Sequence, residues 1–308
     1  MAFFFAGSLI HPLVMLVMKI IKVLLLTVIL FPLFSIQSFS ETKPLRIGIT
    51  AVLIEQNINI NHRIGKYIGD RLNVPVETVY RRGYGDIIQM LGRSEIDIAF
   101  ICGYAYVEGK DKFDLELVVS PTLNGKPFYR SYVIVPSTSE DKDFFDLRGK
   151  RYAFTDPLSN SGYLVPLFWL AQKGESPDRF FKKIIYTRTH YNSIEAVAMR
   201  IVSGASVDSY IWEHAREIAP ELVSKTIVVK ESELFPFPPV VARKSLEKNI
   251  KAKVREVLMS MSKDPVGSLI LAEIGLDGFI AVTDDFYNPI RIMGQRVKGL
   301  AMFSREGK

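Results

Sequence analysis

The sequence Thr-Asp-Pro-Leu-Ser-Asn-Ser-Gly-Tyr-Leu-Val-Pro at residues 155–166 decides the fold of this 308-residue chain. A strand-like apolar run at residues 151–154 precedes it, and its Asp-Pro dipeptide is a turn signal. An apolar run typical of a helix follows at residues 163–171. The stretch therefore predicts a strand, a tight turn and a helix whose first residues are small and polar.

The polar residues at this helix start have the chemistry of a small anion site. The first N–H groups of a helix are unpaired and carry partial positive charge, which favours an anion. Ser159 and Ser161 add hydroxyl donors, Asn160 adds an amide, and Gly162 permits close approach of a ligand to the backbone. We expect Ser161 to cap the helix and Ser159 to act mainly as a donor. An ordinary capped helix is the alternative.

Residues 156–163, Asp-Pro-Leu-Ser-Asn-Ser-Gly-Tyr, resemble the signature Asp-Pro-x-Ser-Thr-Ser-Gly-Tyr of a known family. These are the phosphate-, phosphite- and phosphonate-binding (PhnD-like) periplasmic proteins, the substrate-binding subunits of ABC importers. The resemblance extends from about Leu45 to about Asp285. It implies that residues 159–162 hold the oxygens of a phosphorus oxyanion. Asn160 stands where the family usually has Thr, so an amide oxygen, an acceptor, joins the donors.

The resemblance also implies an α/β fold, the two-lobed type II periplasmic binding fold with a two-strand hinge and a cleft between the lobes. Strand-like and helix-like runs alternate along the chain, which is typical of parallel sheets covered by helices. We expect residues 41–132 to form the first part of lobe 1, residues 133–236 to form lobe 2, and residues 237–308 to return to lobe 1. The two hinge crossings are predicted near residues 129–135 and 238–242.

Three further residues are candidates for ligand contact. The segment Thr-His-Tyr-Asn-Ser at residues 189–193 is similar to the family's Gly-His-Asp-x-Ser, which places His190 just before a helix with one N–H for the anion. A solvated loop histidine is the alternative. Tyr84 and Tyr104 resemble aromatic residues that the family uses from its first lobe, with core packing as the alternative. Tyr210 is expected on a strand where amine-binding members carry an acid, which disfavours aminoalkyl phosphonates.

Residues 1–40 have the features of a signal peptide. The only charges there are two lysines, an apolar run follows at residues 23–34, and small residues at positions 38 and 40 predict cleavage before Glu41. An additional apolar segment precedes Met18, which indicates that translation starts at Met18. We expect the mature protein in the periplasm; an uncleaved membrane anchor is the alternative.

Charge and cysteine content exclude several classes of protein. Removing the two leader lysines lowers the formal net charge from +6 to +4, which can attract an anion but is no nucleic-acid footprint. The single cysteine, Cys102, cannot form an internal disulfide and is expected to be a buried, inert thiol. The histidines lack metal-ligand spacing, and we expect no metal and no cofactor.

The sequence therefore predicts an exported protein that binds a small phosphorus oxyanion and delivers it to a membrane ABC permease, acting as a monomer. The alternative is a sensory module that reports ligand occupancy to a membrane-bound receptor kinase. An enzyme is not expected, because the sequence contains no His-Glu-x-x-His, Cys-x-x-Cys or Gly-x-Ser-x-Gly motif.

Overall fold

A computed structural model of the protein describes residues 14–19, 43–50 and 58–306. Residues 14–19 form a short exposed helical segment, and the chain from Lys43 onward forms one compact unit. The rest of the predicted leader, including its cleavage site, lies outside the described residues. No helix within the described ranges combines the length and apolar character that crossing a bilayer requires.

Thirteen strands and eleven helices are found in the described part of the chain from Lys43 onward. The strands are β1 (Leu45–Ile49), β2 (Val76–Tyr80), β3 (Ile98–Phe100), β4 (Glu116–Thr122), β5 (Phe128–Tyr129), β6 (Ser131–Pro136), β7 (Arg151–Phe154), β8 (Lys183–Tyr186), β9 (Gly204–Asp208), β10 (Thr226–Glu231), β11 (Phe235–Pro236), β12 (Val240–Ala242) and β13 (Gly278–Ile280). The helices are α1 (Ile58–Leu72), α2 (Tyr84–Gly92), α3 (Gly103–Phe113), α4 (Val165–Gln172), α5 (Pro177–Phe180), α6 (His190–Ala198), α7 (Ser209–Ile218), α8 (Pro220–Val223), α9 (Lys248–Ser260), α10 (Pro265–Glu273) and α11 (Asn288–Glu306). A π-helical turn, Asn160–Leu164, leads directly into α4.

The first sheet has six strands in the order β13-β4-β12-β3-β1-β2. Its β1, β2 and β3 are parallel, and α1 and α2 connect them. Helix α1 forms because Ile60, Ile64 and Ile68 recur on one buried face, and it ends where Asn73 adopts a left-handed φ of 54°. Strand β12 returns from late in the chain and lies antiparallel between β3 and β4. We call this sheet and its helices lobe 1.

The second sheet has five strands in the order β10-β6-β9-β7-β8. Strands β7, β8 and β9 run parallel to one another, whereas β6 pairs in antiparallel orientation with both β9 and β10. An aromatic core packs on one face: the ring of Tyr152 stacks on Phe181 at 4.3 Å, and Phe144 stacks on Phe180 at 5.8 Å. We call this sheet and its helices lobe 2. Lobe 2 contains residues 155–166, for which the sequence predicts a tight turn and a helix start.

A separate two-stranded pair, β5 with β11, forms the hinge. Tyr129 pairs with Phe235, and Phe128 pairs with Pro236. Along the chain, β5 lies between β4 of the first sheet and β6 of the second, and β11 lies between β10 of the second sheet and β12 of the first. The predicted crossings include Tyr129 of β5 but otherwise miss this pair: most of residues 129–135 belongs to β6, and residues 240–242 form β12 inside the first sheet. Apolar extended runs look alike in sequence whether they cross between lobes or pair inside a sheet. The predicted lobe boundaries, 132/133 and 236/237, stay predictions.

Two glycines test how tightly lobe 1 is packed. A Cβ on Gly267, in α10, would lie 2.3 Å from the backbone oxygen of Met261, whereas a Cβ on Gly299, in α11, would meet nothing within 4 Å. We expect Gly267→Ala to lower the free energy of unfolding by about 1–3 kcal/mol through overpacking. Gly299→Ala, the matched control, should raise it by about 0.5–1 kcal/mol because alanine favours helices. Urea unfolding measures both, and equal effects of the two changes would contradict this packing.

Candidate functional site

The strand–turn–helix at residues 151–172 forms as predicted, and its backbone explains why. Asp156 turns the chain: its Oδ1 accepts from the N–H of Leu158 at 2.8 Å, and its carbonyl accepts from the N–H of Ser159 at 2.8 Å. Pro166 lacks an N–H, so carbonyls in the preceding turn need donors from elsewhere. The Ser161 carbonyl accepts from Ser131 Oγ at 2.7 Å, and the Gly162 carbonyl accepts from the N–H of Thr155 at 3.2 Å.

Ser159, not Ser161, caps this helix, so that prediction was wrong. Ser159 has an extended backbone, φ −77° and ψ 131°, and its Oγ accepts from the N–H of Gly162 at 3.0 Å. Ser161 lies one residue inside the π-helical turn. A cap must stand outside the helix, with its side chain turned back toward N–H groups two or three residues ahead. Ser161 therefore does not cap the helix, and its hydroxyl has no hydrogen-bond partner among the described residues.

Gly162 is needed for packing within lobe 2. A Cβ at this position would lie 1.9 Å from Oγ1 of Thr155, the residue that follows β7. The helix start is thereby held against the strand end, and the carbonyl of Gly162 pairs with the same residue's N–H. This contact gives the glycine a structural reason, and the approach of a ligand to its backbone stays a prediction.

Four buried polar atoms around the helix start have no hydrogen-bond partner among the described residues. They are Tyr84 Oη, Thr155 Oγ1, Asn160 Oδ1 and Ser161 Oγ. The Ser161 hydroxyl lies close enough to the Tyr129 hydroxyl to lower the pKa of that phenol, but no hydrogen bond of normal geometry joins the two groups. Native proteins pair nearly all of their buried polar groups. A concentration of unpaired donors and acceptors at one place therefore makes the helix start a candidate ligand site.

Asn160 connects this site to the other parts of the molecule. Its backbone N–H donates to Cys102 Sγ of lobe 1 at 3.2 Å, and its Nδ2 donates to Tyr129 Oη in the hinge at 3.0 Å. The Tyr84 N–H, also in lobe 1, donates to Asp156 Oδ2 at 3.4 Å. These contacts bring the two lobes together over the helix start.

Cys102 and Tyr129 are site residues that the sequence analysis missed. Cys102 is buried as predicted, and burial raises the pKa of its thiol to about 11, but it contacts the ligand-binding turn instead of packing only in the core. Burial also raises the pKa of the Tyr84 and Tyr129 hydroxyls well above their ordinary value. Both phenols are therefore neutral groups that can donate a proton in a hydrogen bond. An aromatic residue in a hinge strand was the available signal for Tyr129.

His190 is the first residue of α6 rather than the residue before it. Its Nδ1 accepts from the backbone N–H of Asp208 at 3.0 Å, and burial lowers the pKa of the imidazole to about 3. The ring is therefore neutral with its proton on Nε2. That N–H has no partner among the described residues, which fits the predicted role of donor to an anion.

Asp208 combines a structural and an electrostatic role. It caps α7, with Oδ1 accepting from the N–H of Tyr210 at 2.8 Å, and burial raises the pKa of its carboxyl to about 7. Burial likewise raises the pKa of Asp156. Arg188, an exposed residue, is a cation whose charge acts in the opposite direction on Asp156. Around the unpaired atoms, burial thus favours the neutral form of each titratable group.

Tyr104 packs beside the helix start, and Tyr210 lies in a different element from the one predicted. The ring of Tyr104 packs beside Gly294 of α11, and both Glu108 and Tyr163 of the π-helical turn act electrostatically on its hydroxyl. Its contact with a ligand stays a prediction. Tyr210 lies in the first turn of α7 instead of on a strand, because Asp208 caps a helix there. Its hydroxyl donates to the Ile274 carbonyl of lobe 1, and its ring packs against Phe237 at 5.3 Å.

The comparison with protein families gives a single clear result. The model of the family described as "ABC transporter, phosphonate, periplasmic substrate-binding protein" matches residues 48–287. The chain belongs to this family. The matched range contains the helix start, the hinge and His190, and it agrees closely with the extent of the predicted resemblance.

Individual relatives agree with this assignment. The phosphonates-binding periplasmic protein of Escherichia coli K12 is 28% identical over 259 residues, which cover 82% of this chain and 76% of that protein. A binding protein component of an ABC phosphonate transporter from Pseudomonas aeruginosa superposes with a TM-score of 0.78 at 25% identity, covering 84% of this chain and 88% of that one. PhnD1 from Prochlorococcus marinus, solved with methylphosphonate, superposes with a TM-score of 0.75 at 18% identity, covering 83% and 99%.

These findings confirm the predicted type II periplasmic binding fold and favour import over the sensory alternative. The family consists of substrate-binding transport proteins, which are not enzymes. Among the residues described by the structure, no three His, Cys, Asp or Glu side chains are arranged to hold a metal ion.

The exchanged roles of the two serines lead to opposite expectations for their alanine variants. Ser159→Ala removes the cap and should lower the stability of the ligand-free protein by about 0.5–2 kcal/mol. Ser161→Ala removes a buried hydroxyl without a partner and should leave ligand-free stability unchanged or slightly higher. Melting and urea unfolding of the ligand-free proteins decide this. Destabilisation by Ser161→Ala alone would restore the original assignment of the cap.

Stability as a function of pH tests the burial of His190 and Asp208. Between about pH 3 and 6.5 the unfolded chain binds a proton at His190 and the folded chain does not, so this residue costs stability as the pH falls. Between 3.8 and about 7 the folded chain keeps the Asp208 proton, so this residue costs stability as the pH rises. The two trends oppose each other in the wild type.

Removing one of these two groups should therefore reveal the pH dependence of stability that the other group causes. Relative to the wild type, Asp208→Asn should become more stable as the pH rises through this overlapping range, and His190→Gln should become less stable. Urea unfolding of ligand-free protein at a series of pH values measures the differences. Variants that run parallel to the wild type would show that neither group is titrating as its burial requires.

Proposed function

We propose that the Asn160 helix start, together with Tyr84 and His190, binds a small tetrahedral phosphorus oxyanion that the protein delivers to an ABC permease. The observation that supports this proposal is the set of buried, unpartnered polar atoms on Tyr84, Thr155, Asn160 and Ser161. The free Nε2–H of His190 adds a further donor. Ser159 and Gly162 hold the site in place through their contacts with the turn.

The chemistry of these groups suits an oxyanion. Hydroxyl and imidazole N–H groups donate, and hydrogen bonds to a charged acceptor contribute about 1.5–3 kcal/mol each. Burying an anion is costly unless it is hydrogen-bonded on all sides, so a compact ligand with several oxygens gains most from such a site. Tyr104 lies near Tyr163 of the π-helical turn, but its hydroxyl is not among the buried unpaired atoms, and we do not include it in the binding set.

The source of the site's groups supports action as a monomer in the periplasm. Lobe 1 contributes Tyr84, the hinge contributes Tyr129, and lobe 2 contributes the helix start and His190. A single chain therefore supplies the complete site. Delivery to a membrane permease from outside the cytoplasm agrees with the family and with the predicted leader.

Titration calorimetry with phosphate, phosphite, methylphosphonate and 2-aminoethylphosphonate tests the proposal. We expect at least one of the first three to bind, and a ligand at about 100 times its Kd should raise the free energy of unfolding by about 2.7 kcal/mol. The aminoalkyl compound should bind more weakly, because Tyr210 stands where the resemblance places an acid in amine-binding members, and burial favours the neutral form of Asp156 and Asp208, the two carboxyls that face the site. A protein to which none of these compounds binds contradicts the proposal.

Variants of His190 test the site directly. His190→Gln can still accept from the Asp208 N–H and donate to the ligand, so it should weaken binding less than His190→Ala, which loses about one to two decades of affinity. His62→Gln is a suitable control, because His62 is exposed on α1. Equal affinities in all three variants would remove His190 from the site.

A further inference from the structure

Asn160 differs in kind from the other groups in the site. Its Nδ2 is already used, because it donates to Tyr129 Oη at 3.0 Å. Its Oδ1 is buried, has no partner, and can only accept. Two hydroxyls nearby, on Tyr84 and Ser161, are also unpaired, yet neither donates to this oxygen. Asn160 Oδ1 is therefore an acceptor without a donor, beside hydroxyl groups that can donate.

We infer that Asn160 Oδ1 accepts a hydrogen bond from a hydroxyl of the ligand, and that the protein therefore selects an oxyanion carrying one proton and one negative charge. The inference rests on the proposed function and specifies which form of the oxyanion is bound. An oxyanion without a proton would place a lone pair against the amide oxygen, and an acceptor left unpaired in a buried site is costly.

The electrostatics of the surroundings lead to the same ligand charge. The titratable groups that face the site are Tyr84, Cys102, Tyr129, Asp156, His190 and Asp208, and burial favours the neutral form of each. Beyond them, Arg188 and Asp86 exert opposite effects on Asp156. No described ion pair involves a member of this set. Without a buried cation, a second negative charge on the ligand has nothing to balance it.

Methylphosphonate and methanesulfonate form a matched pair of probes. Well below the second pKa of methylphosphonate, both are tetrahedral monoanions with one methyl group and three oxygens. They differ in that one phosphonate oxygen carries a proton and no sulfonate oxygen does. We expect wild-type protein to bind methanesulfonate about 10- to 100-fold more weakly in calorimetric titrations at this pH, because its oxygen would face Oδ1.

The variant that tests the residue is Asn160→Thr, which introduces a hydroxyl that can either donate or accept. Loss of the bond to Tyr129 should weaken both ligands, so the ratio of the two Kd values is the quantity to compare. We expect this ratio to fall to within a few-fold of one. Asn288→Thr, at an exposed amide at the start of α11 that accepts from Arg291, is the control and should keep the wild-type ratio.

The outcomes separate the inference from the proposed function. Wild-type protein that binds both monoanions equally, or an Asn160→Thr variant that keeps the wild-type ratio, overturns the role of Oδ1 while oxyanion binding stands. Wild-type protein that binds neither methylphosphonate, phosphite nor phosphate overturns the proposed function, and the inference with it. Weaker methylphosphonate binding well above its second pKa, with this loss reduced in Asn160→Thr, supports the inference a second time.

Discussion

The two hydrogen bonds of Asn160 hold the cleft together. One runs from its backbone N–H to Cys102 Sγ in lobe 1, and the other runs from its Nδ2 to Tyr129 Oη in the hinge. A residue of lobe 2 thus fixes its position against both other parts of the molecule. Because Ser159 and Thr155 in turn hold the helix start against the end of β7, the second sheet is connected to the first through a few short contacts. A change of lobe position must break these bonds together.

Asp208 has two roles at the end of β9. The backbone N–H of Asp208 fixes the tautomer of His190, while the carboxyl of the same residue caps α7. The end of β9 therefore orients a donor for the ligand and starts the next helix. Since burial lowers the pKa of His190 to about 3 and raises the pKa of Asp208 to about 7, a bound oxyanion would be the dominant charge in the cleft below about pH 7. Selectivity for ligand charge would then follow from how polar groups are paired, because none of the described side chains facing the site is an arginine or a lysine.

The sequence predicted those features that are local. The strand–turn–helix around residues 155–172 contains its own turn and helix-start signals, and His190 lies in a segment that is similar to one of the family. The choice between Ser159 and Ser161 as cap failed because it depends on the exact residue at which the helix begins, and Pro166 shifts the hydrogen-bond pattern there. The hinge strands have two residues each, which is too short for any periodicity. Cys102 and Tyr129 join the site through contacts with residues distant in sequence, which no local pattern records.

The unpaired atoms also indicate how a ligand controls closure. An unsatisfied buried polar group costs about 1–3 kcal/mol, and four such groups, three from lobe 2 and one from lobe 1, lie at the helix start. In an open form water would pair them, so closure without a ligand carries this cost. A ligand that satisfies them binds the closed form preferentially by the same amount. A difference of about 5.5 kcal/mol is enough to shift a two-state equilibrium from 1:99 to 99:1. Two to four satisfied groups reach that value, so under the proposed function the atoms that recognise the oxyanion would also supply the free energy that closes the cleft on it.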